Sequence, residues 1–225
     1  MRKGFFKKMA VVVLAVVTTM TMFTGCGGAG STSASTKSIT IQGGNTEGDL
    51  DPAGGALGMF IQYSRLCLEP LITYDSDGKV SKAMAESYEE SSDGLTWTFH
   101  LRKDAKWSDG SAVTSADFVN TIKRSLDGKT SKSIYADMLS PIVGATEAYA
   151  GTASVDNVGV TAPDDYTIEF KLVKPCSYFL KLIAMQCCYP SKAGIATNEN
   201  ETWYTDPKTN LANGAFYMTE YVQGQ

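Results

Sequence analysis

Few groups in this 225-residue chain could do chemistry, and their spacing argues against most reactions. The single histidine, His100, falls on the polar side of an alternating strand, and the chain carries neither a nucleophile elbow nor a metalloprotease motif. A structural histidine fits that setting better than a catalytic one, so no catalytic residue is assigned. The competing class is a secreted, lipid-anchored hydrolase. The five cysteines, Cys26, Cys67, Cys176, Cys187 and Cys188, lack the paired spacing of a structural zinc site, and no metal site or cofactor is expected. Asp75-Ser76-Asp77-Gly78 has some of the composition of a calcium loop. It lacks the twelve-position pattern and the terminal bidentate acid, and reads as a hairpin turn. Cys187 and Cys188 are adjacent, flanked by Met185 and Tyr189, and read as buried free thiols. Outside the cytoplasm the four cysteines after Cys26 permit a disulfide without requiring one.

The remaining reactive position is Cys26. Arg2, Lys3, Lys7 and Lys8 precede an uncharged apolar run from Met9 to Phe23, the pattern of a secretory signal over residues 1–25. The run is too short, and too closely followed by small residues, to read first as a membrane span. Phe23-Thr24-Gly25-Cys26 resembles a lipoprotein cleavage box, with Cys26 as the lipidated first residue of the mature chain. The plain alternative is an ordinary signal with an incidental cysteine. Removing the signal takes away four basic residues and no acidic one, which moves the net charge from −4 to −8. An acidic chain without a basic patch interleaved with aromatics gives no support for nucleic-acid binding. Charge would also disfavour adhesion to anionic lipid, leaving a covalent lipid as the membrane attachment. Residues 26–38 are rich in Gly, Ser, Thr and Ala and read as a flexible tether.

The elements that must position any site centre on Leu95 to Arg124. Leu95, Trp97, Phe99 and Leu101 alternate with polar residues, which predicts a half-buried strand. Asp109-Gly110 supplies a turn, Thr114 and Asp117 a capping-box-like helix start, and Phe118, Ile122 and Leu126 one helix face, with Lys123 and Arg124 beside it. Before this, Ile39-Thr40-Ile41 is expected to open the fold as a short strand. Phe60, Ser64, Cys67 and Leu68 predict a helix limited by Pro70, Leu71 to Tyr74 a strand, and Ala83 to Ser87 a short helical piece. After it, Ile134, Met138 and Ile142 predict a helical face, and Glu147 to Gly151 another short helix. Val158 and Val160 with Tyr166 to Leu172 predict a hairpin around Pro163-Asp164-Asp165, Tyr178 to Met185 an apolar helix, and Ala215 to Val222 a strand.

Several runs are similar to the extracytoplasmic solute-binding proteins of peptide ABC importers, the oligopeptide- and dipeptide-binding family. They are Glu69-Pro70-Leu71, Ala85-Glu86-Ser87-Tyr88, Lys106-Trp107-Ser108-Asp109-Gly110, Asp165-Tyr166-Thr167 and Asn213-Gly214-Ala215-Phe216, in that order between Ile39 and Gln225. The resemblance implies a mixed α/β, periplasmic-binding-protein-like fold of two lobes, of which this sequence looks like the N-terminal portion. It also implies that residues 39–60 and 176–225 belong to the first lobe and that 61–175 form a subdomain packed on it. The function implied is capture of oligopeptides or dipeptides by a receptor lipid-anchored outside the cytoplasm, at the cell surface or in the periplasm. Its partners would be the peptide, the membrane through the anchor, and the ABC permease subunits. In that family the segment after the first strand lies near the ligand cleft. Asp49, Leu50, Asp51 and Pro52 are therefore ligand-binding candidates, followed by Tyr63 and Arg65 on the next helix. An Asp-Pro turn and an ordinary helix surface are the respective alternatives. Other solutes within the family, such as nickel, haem, an opine or an oligosaccharide, remain open, as does a signalling or adhesion lipoprotein.

Overall fold

Aromatic residues on alternating positions generate the centre of the structure, a computed structural model that describes residues 37–41, 50–54, 59–131, 133–200 and 202–222. The chain divides into two units, Met1–Ile41 and Gln42–Gln225. In the first, residues 37–41 are exposed and no strand is assigned to them, so the strand expected at Ile39 to Ile41 is not formed among the described residues. A strand needs a neighbour's hydrogen bonds, and no described pairing includes these residues. The signal, Cys26, the tether up to residue 36, and Asp49 lie outside the described residues.

The second unit holds helix α1 (Met59–Cys67), the hairpin β1 (Ile72–Tyr74) and β2 (Val80–Lys82), and strands β3 (Ala85–Glu90) and β4 (Thr96–Leu101). After these come helices α2 (Ser115–Leu126) and α3 (Ala145–Tyr149), strands β5 (Val160–Asp164) and β6 (Thr167–Lys171), and helix α4 (Phe179–Ile183). The main sheet is antiparallel in the order β3-β4-β6-β5, with Trp97 opposite Phe170 and Phe99 opposite Ile168. The period of two in β4 thus buries Trp97, Phe99 and Leu101, as expected. Phe99 meets Phe170 edge to face at 5.7 Å, Phe170 meets Phe179 of α4 at 5.3 Å, and Trp97 meets Phe179 at 5.5 Å. Phe118, Ile122 and Leu126 of α2 are fully buried in the same core. This is the mixed helix-and-sheet architecture expected.

Three local expectations are corrected. Ala83 to Ser87 is not helical: from Ala85 onward it is edge strand β3, because pairing with β4 supplies hydrogen bonds that outweigh the helix preference of its Ala and Glu residues. Ile134 and Met138 are exposed at 62% and 48%, while Ala136, Leu139 and Ile142 are buried. The period there is three, that of the 3₁₀ turn Ala136–Leu139, rather than the four assumed. No strand forms in the described residues of Ala215 to Val222; instead Gly214 and Phe216 donate their N–H groups to the carbonyls of Cys67 and Leu66 at the end of α1. The turn at Asp75 to Gly78 closes β1 and β2 as expected, with Asp75 Oδ1 accepting from the N–H groups of Asp77 and Lys79 at 2.9 Å each. Cys67, Cys176, Cys187 and Cys188 are free and buried.

Candidate functional site

The loop nominated from sequence is shaped by its own aspartate. Asp51 Oδ1 accepts the N–H of Ala53 at 2.9 Å and its carbonyl accepts that of Gly54 at 3.1 Å, a tight turn around Pro52. Leu50, Asp51, Pro52 and Ala53 are all buried. The Asp51 carboxylate also receives a two-pronged contact from Arg124 on α2, Nη2 to Oδ1 at 2.5 Å and Nη1 to Oδ2 at 2.7 Å. Both side chains are about nine-tenths removed from solvent, at 8% and 10% exposure, so neither is a surface pair.

Arg124 reaches that position because α2 carries a second stripe. Asp117, Thr121 and Arg124 follow one another at helical spacing beside the apolar face and are buried against the irregular segment after α4. Asp117 Oδ1 accepts the N–H of Ala193 at 2.8 Å, while its Oδ2 accepts the Trp107 indole N–H and the Thr114 N–H at 2.9 Å each. The expected capping box is thus present, and its carboxylate doubles as a buried joint. Thr121 Oγ1 lies 2.7 Å from Ser191 Oγ. Arg124 donates to Ser191 Oγ and to Asn198 Oδ1 at 3.3 Å each, and its guanidinium lies 5.5 Å from the ring centre of Trp203. Asn198 Nδ2 donates in return to the Arg124 carbonyl at 3.0 Å and to Thr130 Oγ1 at 2.8 Å. Beside this seam a cavity of about 190 Å³ is bounded by Asn120, Lys123, Arg124, Asp127 and Glu199.

The seam continues to α1. Trp203 meets Tyr204 edge to face, the Tyr204 carbonyl accepts from Asn210 Nδ2 at 2.6 Å, and Asn210 Oδ1 accepts the Tyr63 hydroxyl. Burial pushes the Tyr63 phenol far above its ordinary value, with the neighbouring Cys67 adding to the rise, so Tyr63 acts here as a neutral donor. Burial likewise pushes the Cys67 thiol up to about 11. The structure therefore gathers Leu50, Asp51, Pro52 and Tyr63 into one connected region, with the Asp51 carboxylate and the Tyr63 hydroxyl turned to protein partners. Arg65, on the opposite face of α1, is exposed. His100 lines a separate open concavity of about 670 Å³ at the end of the sheet, with Glu86, Lys103, Asp164 and Tyr166.

Sequence reasoning left out Arg124 as a site residue, together with Ser191, Asn198 and Asn210. No sequence signal marked Arg124: Asp117, Thr121 and Arg124 recur at helical spacing as a solvent-facing polar stripe would, and their burial is visible only in the structure. The runs that carried the family resemblance are mostly joints between distant segments. Asn213 accepts from the Glu69 N–H at 2.9 Å and donates to the Glu69 carbonyl at 3.1 Å, and Ser108 exchanges two bonds with Ala212. Ser115 N–H donates to the Asp165 carbonyl and Leu101 N–H to that of Tyr166, both at 2.8 Å. A Cβ on Gly214 would lie 2.7 Å from the Cys67 carbonyl carbon, so this position accepts only glycine without a shift of backbone.

Comparison with known proteins agrees with this architecture. The periplasmic oligopeptide-binding protein OppA of Escherichia coli K12 is 37% identical over 196 residues, which is 86% of this chain and 36% of that protein. The dipeptide-binding protein DppE of Bacillus subtilis is 33% identical over 186 residues, 82% of this chain and 34% of that protein. The solved structure of Listeria monocytogenes OppA bound to peptide superposes with a TM-score of 0.71 at 29% identity, covering 77% of this chain and 34% of that one. The chain thus spans about a third of the length of these relatives. Residues 79–225 match the family described as bacterial extracellular solute-binding proteins, family 5, middle region. With that match over more than half of its length, the chain belongs to the family 5 extracellular solute-binding proteins.

Proposed function

We propose that the protein is the substrate-binding component of an ABC importer, held outside the cytoplasm by a lipid on Cys26, and that it captures oligopeptides or dipeptides for delivery to a membrane permease. The observation that carries this reading is the similarity, over 86% of the chain, to a protein named as oligopeptide-binding. Residues 39–60 and 176–225 would contribute to one lobe with 61–175 packed on it, and the segment 49–52, with Tyr63 of α1 behind it, would contribute to the ligand wall; Arg65, on the other face of α1, would meet ligand only from a separate side. The buried, cross-linked state of Leu50 to Ala53 supports a rigid wall, which loses little entropy on binding. Among the described residues no helix is long and apolar enough to cross a membrane. Attachment is assigned to lipid on the strength of Phe23-Thr24-Gly25-Cys26, the cleavage-box-like run that ends the apolar segment. Because a single acyl chain holds a protein only reversibly, the anchor would carry more than one.

Calorimetric titration of the protein purified from its whole coding sequence, with defined di- to pentapeptides against free amino acids, tests the ligand class. Saturable heat with peptides alone is expected, and saturation by a different solute with none by peptides would overturn the reading. For the anchor, Cys26→Ser is expected to move the protein from the detergent phase to the aqueous phase or to stall its processing. Equal partitioning of both forms would remove the lipid from the proposal.

A further inference from the structure

We propose that Arg124 is the positioning residue of the 50–54 loop, fixing its place from the segment 191–203; this rests on the reading of that loop as part of the ligand wall. The guanidinium is itself held from several directions, by Ser191 Oγ, Asn198 Oδ1 and the face of Trp203, while Asn198 returns a bond to the Arg124 carbonyl. The same two nitrogens, Nη1 and Nη2, also close as a fork on Asp51, whose Oδ1 holds the N–H of Ala53. One planar group therefore carries the position of the 191–203 segment directly into the turn. A buried ion pair is a poor source of stability compared with apolar groups of the same volume. What an apolar pair lacks is a fixed orientation, and a two-pronged arginine–carboxylate contact supplies it. Lysine would keep the charge but present a single point without the fork. Arg124 itself need not touch ligand for its loss to weaken binding.

Two variants of the purified protein test this, Arg124→Lys and the paired Asp51→Asn/Arg124→Gln, which removes both charges and leaves amides able to bond to one another. Amide exchange is followed at Ala53 and Gly54 and, for comparison, at Phe118 and Ile122, alongside peptide titration. The expected result is exchange at least tenfold faster at Ala53 and Gly54 with Phe118 and Ile122 unchanged, and a peptide Kd at least tenfold weaker in the paired variant and severalfold weaker in Arg124→Lys. Exchange that accelerates equally at all four amides would reduce Arg124 to a general stabiliser and overturn the proposal. So would a folded variant with unchanged exchange and unchanged Kd. Faster loop exchange with unchanged Kd would keep the anchoring role and remove the loop from the ligand wall. A wild-type protein that binds no peptide would overturn the proposed function, while the exchange comparison would still decide the role of Arg124.

Discussion

One stripe of α2, Phe118, Ile122 and Leu126, enters the aromatic core beneath the sheet, whereas the neighbouring stripe, Asp117, Thr121 and Arg124, enters the polar seam. Both are buried, but the first is held by area removed from water and the second by directional bonds to segments some seventy positions away, such as Ser191 and Asn198. Apolar packing tolerates exchange among groups of similar volume and fixes orientation only loosely. Hydrogen-bonded polar groups penalise any displacement that leaves one unmet. The core accordingly accounts for how firmly the chain folds, and the seam for where the 50–54 loop and the segment 191–213 are placed.

The largest effect should come from the core. Phe99 is fully buried, with Phe170, Trp97 and Tyr88 around it. Phe99→Ala is expected to cost about 3–5 kcal/mol, read as a fall in the denaturation midpoint. A smaller loss than that of a surface change would mean that the sheet is not the stabilising centre.

The seam should respond differently to single and paired changes. Arg124→Ala leaves the Asp51 carboxylate buried without its guanidinium, which for pairs of this kind costs about 3–5 kcal/mol. Replacing both partners together should cost much less than the sum of the two single variants, whereas Phe99→Ala and Ile122→Ala should come close to adding, apart from any coupling through a shared cavity. Denaturant titration of the three seam variants gives the coupling directly. Additive losses at Asp51 and Arg124 would erase the distinction between the two regions.

The same division explains what could be read in the sequence. Alternation along Trp97 to Leu101 and along Ile168 to Leu172 is a property of neighbours in the chain, so β4, the β5–β6 hairpin and α2 were legible. Gly78, Gly94 and Gly110, with positive φ of 74°, 69° and 86°, mark three of the turns. The edge strand β3 was not legible, because only its pairing with β4 makes Ala85 to Glu90 extended. The seam was legible only in part. Asp51 and Tyr63 were found, but the reason for their burial lies in Arg124 and Asn210, remote in sequence and without any periodic pattern around Asn210.

A smaller effect separates packing from polar need inside the core. Trp97 is 6% exposed, and its indole nitrogen meets no hydrogen-bond partner among the described residues. Trp97→Phe gives up some area but also removes an unmet donor, two contributions of opposite sign. The expected net loss is under about 1.5 kcal/mol, well below that of Trp97→Ala. A loss as large as the alanine variant would show that the nitrogen is used.

The smallest effect lies at the turns that join core strands to the rest. Hydrogen bonds from the Ser111 hydroxyl and then from the Ser111 N–H hold the Asp109 carboxyl below its usual range, as those from Ser91 and Leu95 do for Asp93. With the folded pKa below the unfolded one, the contribution to stability is present above the unfolded value, about 3.9, and is lost as pH falls through the folded value. Asp109→Asn should therefore lower the melting temperature slightly at pH 7. As the medium is taken below the folded pKa, the gap between the variant and the parent should close. Both carboxylates face water, so their strength is screened, and the shift should be far less than that of any core or seam variant. Melting curves collected at intervals from pH 7 down to pH 2 decide it. A gap that stays constant across that range would mean that the turn depends on the shape of the side chain and not on its charge, and would place Asp109 with the packed residues.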